Sequence, residues 1–203
     1  NRPERPLPSG VMSAGQARIY LIFLFAAGML FSWLISIETF IIAGPISIPT
    51  LIAYSACFKR QPLIGNLTVS FMLGLAFIYV GTAFSNVQAT LVMAALAFGF
   101  TLIREIVKDL EDMEGDAQDK ARTLPLVWGE IKTLNLVLFL MVAFIVIDLL
   151  PYALGVYNII YLWIVLLGIN LPLLVFAFIL WKKPIKKNYF RVQLFLKLDI
   201  FVG

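Results

Sequence analysis

Apolar residues come in long unbroken blocks along this chain, and short polar stretches part them. The blocks cover about residues 14–35, 39–58, 67–83, 87–108, 132–150, 158–181 and 189–202. A helix rises 1.5 Å per residue, so about 20 residues cross a hydrocarbon core of roughly 30 Å. The pattern therefore predicts an all-α polytopic membrane protein with seven spans. None of the blocks shows the period-two alternation of a barrel strand. Ser13 and Gln16 form a capping box for the first span. Asn66 is an N-cap for the third, and Pro151 ends the fifth. Pro45 and Pro49 inside the second span free carbonyls that neighbouring helices must satisfy.

Charge sorts the connections. Arg2 and Arg5 precede the first span, and Lys59 and Arg60 lie between the second and third. Lys120 and Arg122 follow the fourth, and four lysines in KKPIKK separate the sixth from the seventh. The remaining connections, near Ser36, Ser85 and Tyr152, carry no Lys or Arg. Basic and neutral connections alternate across all seven spans, which puts the basic ones on the cytoplasmic face of a cell membrane. The formal charge of +4 is thus accounted for by topology and does not point to nucleic acid.

Composition narrows the chemistry. With 61% hydrophobic and 14% charged residues the chain has no material for the polar shell of a water-soluble domain. Cys57 is alone and forms no internal disulfide. There is no His, which excludes His-based catalysis, haem ligation through His and HExxH zinc chemistry within this chain. The opening NRPERPLPSG lacks Met and a signal peptide and reads as the middle of a loop, so a preceding portion of the polypeptide is expected.

Against this background residues 104–129, REIVKDLEDMEGDAQDKARTLPLVWG, stand apart. Seven of the twelve acidic residues fall between Glu105 and Asp119, mixed with Arg104, Lys108, Lys120 and Arg122. If the fourth helix continues, Arg104, Lys108, Asp112 and Asp116 share one stripe, with Asp109 at its border. Carboxylates suit Mg²⁺, which keeps phosphate oxygens in its shell, and Arg and Lys neutralise phosphate directly. The plain alternative is a solvated helix end with weak i,i+4 pairs. Glu38 and Asp148 read as residues of the neutral interface.

These stretches resemble a known family. KDLEDMEGD followed by RTLPLVWG is similar to the second aspartate-rich motif of the UbiA superfamily of intramembrane prenyltransferases. NRPERPLPSG resembles the sequence after that family's first aspartate-rich motif, and FKRQPLIGNLTVS the loop and helix start between its fourth and fifth spans. The resemblance is collinear over nearly the whole chain. It implies one transmembrane prenyltransferase domain with nine helices around a central cavity, of which these would be the third to the ninth. The first two helices and the first motif, of NDxxDxxxD type, would precede Asn1.

By position the resemblance makes Asp112 and Asp116 metal ligands, with Asp109 a further acid. Arg104, Lys108 and Lys59 would face the diphosphate. Tyr54 precedes the Lys59 loop, Asn66 lies at the cavity mouth, and Arg2 and Arg5 flank the first motif. Lys120 departs from the family, where Gly is usual, and puts the local backbone path in question. The implied cofactor is Mg²⁺ and the implied reaction moves a prenyl group, best read as geranylgeranyl, from its diphosphate to an acceptor. The wording is closest to the archaeal branch that alkylates geranylgeranylglyceryl phosphate. Aromatic acceptors of the quinone, tocopherol, haem or chlorophyll type use similar machinery. A CDP-alcohol phosphotransferase would need a DGxxAR motif, which is missing, and a transporter would need ionisable groups deep in several spans.

Overall fold

The structure is a computed structural model that describes residues 6–199. Among these residues every regular element is helical. Six helices are long and apolar enough to cross a membrane. They are α1 (Ala14–Ile35), α2 (Ile37–Ala56), α3 (Ile64–Ala83), α4 (Val87–Gln118), α5 (Glu130–Ala153) and α6 (Ile159–Lys182). A seventh helix, α7 (Lys186–Asp199), has 14 residues within the described part, and the rest of the predicted seventh span lies outside the described residues.

The ends of these helices follow local chemistry. At α1 the capping box forms as expected, with Gln16 N–H donating to Ser13 Oγ at 3.2 Å and Ser13 N–H to Gln16 Oε1 at 2.9 Å. Pro45 sits in a π-helical turn, Ile42–Ile46, inside α2, so the proline loosens this span without ending it. Asn66 is not the N-cap of α3. That helix starts three residues earlier, after Leu63, whose φ of 63° turns the chain sharply into the helix. Pro151 does not end the fifth span either. It occupies the first turn of a short helical extension, Leu150–Ala153, where its missing N–H costs nothing.

Helices α3 and α4 form the tightest pair. Gly81 makes this closeness feasible: a Cβ there would lie 2.1 Å from Thr90 Oγ1 and 2.9 Å from Val87 Cα. The C-terminal half of α4 is also the centre of the buried core. Ile103, Ile106, Val107 and Leu110 pack with Val137, Met141, Leu173, Tyr189 and Val192 from α5, α6 and α7. Phe100 meets Phe144 edge-on at 5.9 Å. By contrast α1 turns Ile19, Ile22, Phe23 and Phe31 outward, as a lipid-facing helix does.

Asp148 is fully buried, not an interface residue. Asn170 Nδ2 donates to its Oδ1 at 3.2 Å, and Tyr161 donates to its carbonyl at 2.7 Å. The two bonds tie the end of α5 to α6 at the face opposite the acidic segment.

Candidate functional site

Helix α4 runs 32 residues without a break, so the acidic segment is a continuation of a membrane span and not a loop. One side of this extension is sealed into the core. The other side carries Glu105, Lys108, Asp109, Asp112 and Asp116 and forms one wall of a cleft of about 80 Å³. The spacings of four, three and four keep the four carboxylates on one helical face. The opposite wall comes from Tyr54 at the end of α2, Lys59 and Gln61 in the following turn, and Gly65 and Asn66 in the first turn of α3. Thr123, from the connection after α4, completes the lining.

Three local features set this geometry. The segment Phe58–Arg60 is a single 3-10 turn, and Arg122 N–H donates to the Arg60 carbonyl at 2.9 Å, so the connections after α2 and α4 are joined by backbone. Gly65 lets that turn pass close to α3, since a Cβ would lie 2.9 Å from the Phe58 carbonyl oxygen. Lys120 has φ 54°, a left-handed conformation that glycine adopts without steric cost. The position thus suits the glycine that the family resemblance expects, and Lys120 completes the same turn.

Across the cleft Asn66 Nδ2 donates to Asp109 Oδ2 at 2.9 Å, with Asn66 only 6% exposed. This bond explains the asparagine better than a helix cap does. It presents one carboxylate oxygen of Asp109 to α3 and orients the other. Asp112 is exposed at the cleft mouth and Asp116 is half-buried. Just outside, Lys186 Nζ at the start of α7 donates to Glu114 Oε2 at 2.5 Å, which braces the extension on its far side. That bond holds the Lys186 ammonium above its ordinary range.

Of the residues singled out in the sequence, Tyr54, Lys59, Asn66, Lys108, Asp109, Asp112 and Asp116 meet in this one cleft. Arg104 is not among its lining residues; its Nη2 donates to Glu105 Oε1 at 2.5 Å. Arg2 and Arg5 lie outside the described residues. Four lining residues were not anticipated: Glu105, Gln61, Gly65 and Thr123. Glu105 carried a signal, because it stands four residues before Asp109 on the same face. The other three come from connections or a helix start, where no periodicity marks them.

A second, apolar hollow of about 280 Å³ lies between α1, α2 and α3. Leu24, Phe25, Met29, Ile48 and Leu51 line it, and a hydroxyl pair, Ser32 and Tyr79 at 3.0 Å, closes one side. Leu51 of this hollow and Tyr54 of the cleft are three residues apart on α2, one helical turn.

Known proteins share this sequence and arrangement. The profile of the UbiA prenyltransferase family matches residues 1–198. The digeranylgeranylglyceryl phosphate synthase of Methanothermobacter thermautotrophicus is 36% identical over 170 residues, which is 83% of this chain and 60% of that protein. The synthase of the same name from Thermococcus gammatolerans is 35% identical over all 203 residues and 72% of its own length. A solved structure of a digeranylgeranylglyceryl phosphate synthase superposes with a TM-score of 0.81 at 32% identity, over 100% of this chain and 71% of that one.

Proposed function

The chain belongs to the UbiA prenyltransferase family, and on that premise we propose that it moves a prenyl group, geranylgeranyl in the best reading, from its diphosphate to the hydroxyl of geranylgeranylglyceryl phosphate. The observation that carries this reading is the cleft, in which Asp109, Asp112 and Asp116 on α4 face Lys59 and Asn66 across a narrow gap. Two relatives that are digeranylgeranylglyceryl phosphate synthases support the acceptor. The reaction takes place at the cytoplasmic face of the membrane, in a single prenyltransferase domain.

The residues present fit Mg²⁺. Among the described residues no three acidic, His or Cys side chains converge into a closed cage. Magnesium does not require one: it binds through one or two carboxylates and keeps substrate phosphate oxygens and water. Thr123, 6% exposed, brings a buried hydroxyl to the end of the cleft beside Asp116, which suits an oxygen-rich ligand. Asp112 and Asp116 would hold the ion, with Asp109 as a further ligand; in the family a first aspartate-rich motif completes the shell. When bound, Mg²⁺ supplies positive charge against the diphosphate as it leaves.

The protein's own groups do the rest. Lys59 and Lys108 place point charges on opposite walls, where the diphosphate gathers negative charge. Asn66 fixes Asp109 before substrate arrives. The cleft is far smaller than the roughly 300–1,000 Å³ of pockets for whole small molecules, so it takes the diphosphate and not the isoprenoid. The tail passes Tyr54 into apolar space, toward the hollow that begins one turn away on α2. The allylic cation develops at C1, where the cleft meets this apolar space and water is kept away.

The test is Mg²⁺-dependent release of diphosphate from labelled geranylgeranyl diphosphate, with a panel of acceptors. The reading expects alkylation of geranylgeranylglyceryl phosphate. Alkylation of an aromatic acid with that lipid ignored would overturn the acceptor, and no Mg²⁺-dependent release with any acceptor would overturn the activity.

A further inference from the structure

The cleft holds one carboxylate that the diphosphate does not need. Glu105 is 7% exposed, lines the cleft wall and stands one helical turn before Asp109. Helix α4 enters the membrane in the direction of lower residue numbers. From Asp116 to Glu105 the row of carboxylates therefore descends about 16 Å toward the bilayer, and Glu105 is its deepest member. Its Oε1 accepts from Arg104 at 2.5 Å, and among the described residues no protein donor engages Oε2.

A structural role does not account for this pair. Arg104 and Glu105 are neighbours on one helix, so their bond ties no element to another, and a buried ion pair of that kind adds little to stability. What it does is hold the carboxylate in one orientation while leaving its second oxygen to the cleft.

The substrate geometry gives that oxygen a task. A diphosphate gripped near Asp112 and Asp116 must point its prenyl C1 toward the membrane, because the tail seeks apolar space. The acceptor is a lipid as well, and brings its hydroxyl from the same side. The carboxylate at that depth is Glu105, one turn further into the membrane than Asp109, which the reading above assigns to the metal. Tyr54 from α2 and Lys108 from α4 face the same space.

We infer that Glu105 is the residue that takes the proton from the acceptor's hydroxyl during prenyl transfer. The inference rests on the transfer reading given above. The hydroxyl oxygen forms a bond to C1 with one of its lone pairs. The C1–O bond to the diphosphate breaks, and its electron pair stays on the diphosphate. The hydroxyl proton moves to Glu105 Oε2 and returns to water when the products leave. A positioned base of this kind contributes about 10²- to 10⁴-fold in rate.

The experiment uses full-length protein in lipid nanodiscs and the variant Glu105→Gln, which keeps the shape and removes the base. Ether formation should fall about 100-fold or more, while binding of a non-cleavable prenyl thiolodiphosphate with Mg²⁺ stays within about threefold of wild type. An acceptor analogue with a thiol in place of the hydroxyl is far more acidic and, assayed toward alkaline pH, supplies a thiolate that needs no base. Glu105→Gln should alkylate it at close to the wild-type rate. Equal losses on hydroxyl and thiolate acceptors, or no loss on the hydroxyl, would overturn the role. If Glu105→Gln does not fold, Glu105→Asp must transfer at least about tenfold faster than Glu105→Asn, and equality of the two sinks the inference. Wild-type protein that alkylates neither acceptor would instead overturn the transfer reading, and this role with it.

Discussion

Asn66→Leu tests the cleft at its best-defined contact. Leucine has the same branched heavy-atom skeleton as asparagine and no donor, so the change removes one hydrogen bond from a site that is 6% exposed. That bond joins Nδ2 to Asp109 Oδ2 at 2.9 Å. A hydrogen bond to a charged group contributes about 1.5–3 kcal/mol, which converts to about 10- to 150-fold at 1.36 kcal/mol per factor of ten. Loss of an oriented partner behind a metal ligand costs a comparable 10- to 100-fold in metal affinity, roughly. The assay is a Mg²⁺ titration of diphosphate release at saturating donor. The half-saturating Mg²⁺ concentration should rise about tenfold or more. The Asp109→Asn background supplies the sharper arm. There the Asn66→Leu effect should largely vanish, a coupling above about 1 kcal/mol. Effects that add within about 0.5 kcal/mol, or a Mg²⁺ shift below about threefold, would refute the reasoning.

Three further outcomes follow from the same geometry. Asp112→Ala and Asp116→Ala should each cut diphosphate release by about 100-fold or more, while the thermal melt of Asp112→Ala stays at wild type because that side chain is exposed; a full loss of folding in both would point to structure and not chemistry. Gly65→Ala puts a Cβ against the Phe58 carbonyl oxygen, so the turn bearing Lys59 must shift and donor KM should rise several-fold, whereas unchanged KM would detach Lys59 from the diphosphate. Lys120→Gly relieves a left-handed φ worth about 1–2 kcal/mol and gives back about 0.5–1 kcal/mol in backbone entropy. A modest gain in melting temperature with unchanged activity is expected, and a loss would mean that the Lys120 side chain itself supports the turn.

Much of this arrangement was legible in the sequence, for reasons that can be traced to particular residues. The first span begins and ends where hydropathy and the Ser13–Gln16 box put it, because a lone membrane helix answers to local rules. The acidic stripe is recognisable from helical spacing, and Lys108, Asp112 and Asp116 of it line the cleft, while its first member, Arg104, does not. Each step of four residues rotates the face by about 40°, so the row through Glu105 and Asp109 faces the cleft and Arg104 turns aside to hold Glu105. Local propensity makes Asn66 a cap because asparagine favours that position, while the family resemblance puts it at the cavity mouth; its partner lies 43 residues away on another helix, which no local rule can reveal. Likewise Gln61, Gly65 and Thr123 reach the cleft through connections whose path depends on the Arg122–Arg60 backbone bond and the turn at Leu63. The burial of Asp148 depends on Asn170 in α6 and was hidden for the same reason.

The central claim is that the cleft between α3 and the extended α4 grips a diphosphate through Mg²⁺. It is tested most directly by the structure of the full-length protein in lipid with Mg²⁺ and a non-cleavable geranylgeranyl thiolodiphosphate. The account predicts diphosphate density between Lys59, Asn66, Asp112 and Asp116, with the isoprenoid running past Tyr54 into the membrane. Diphosphate bound elsewhere, with these side chains left in contact only with water, would contradict it.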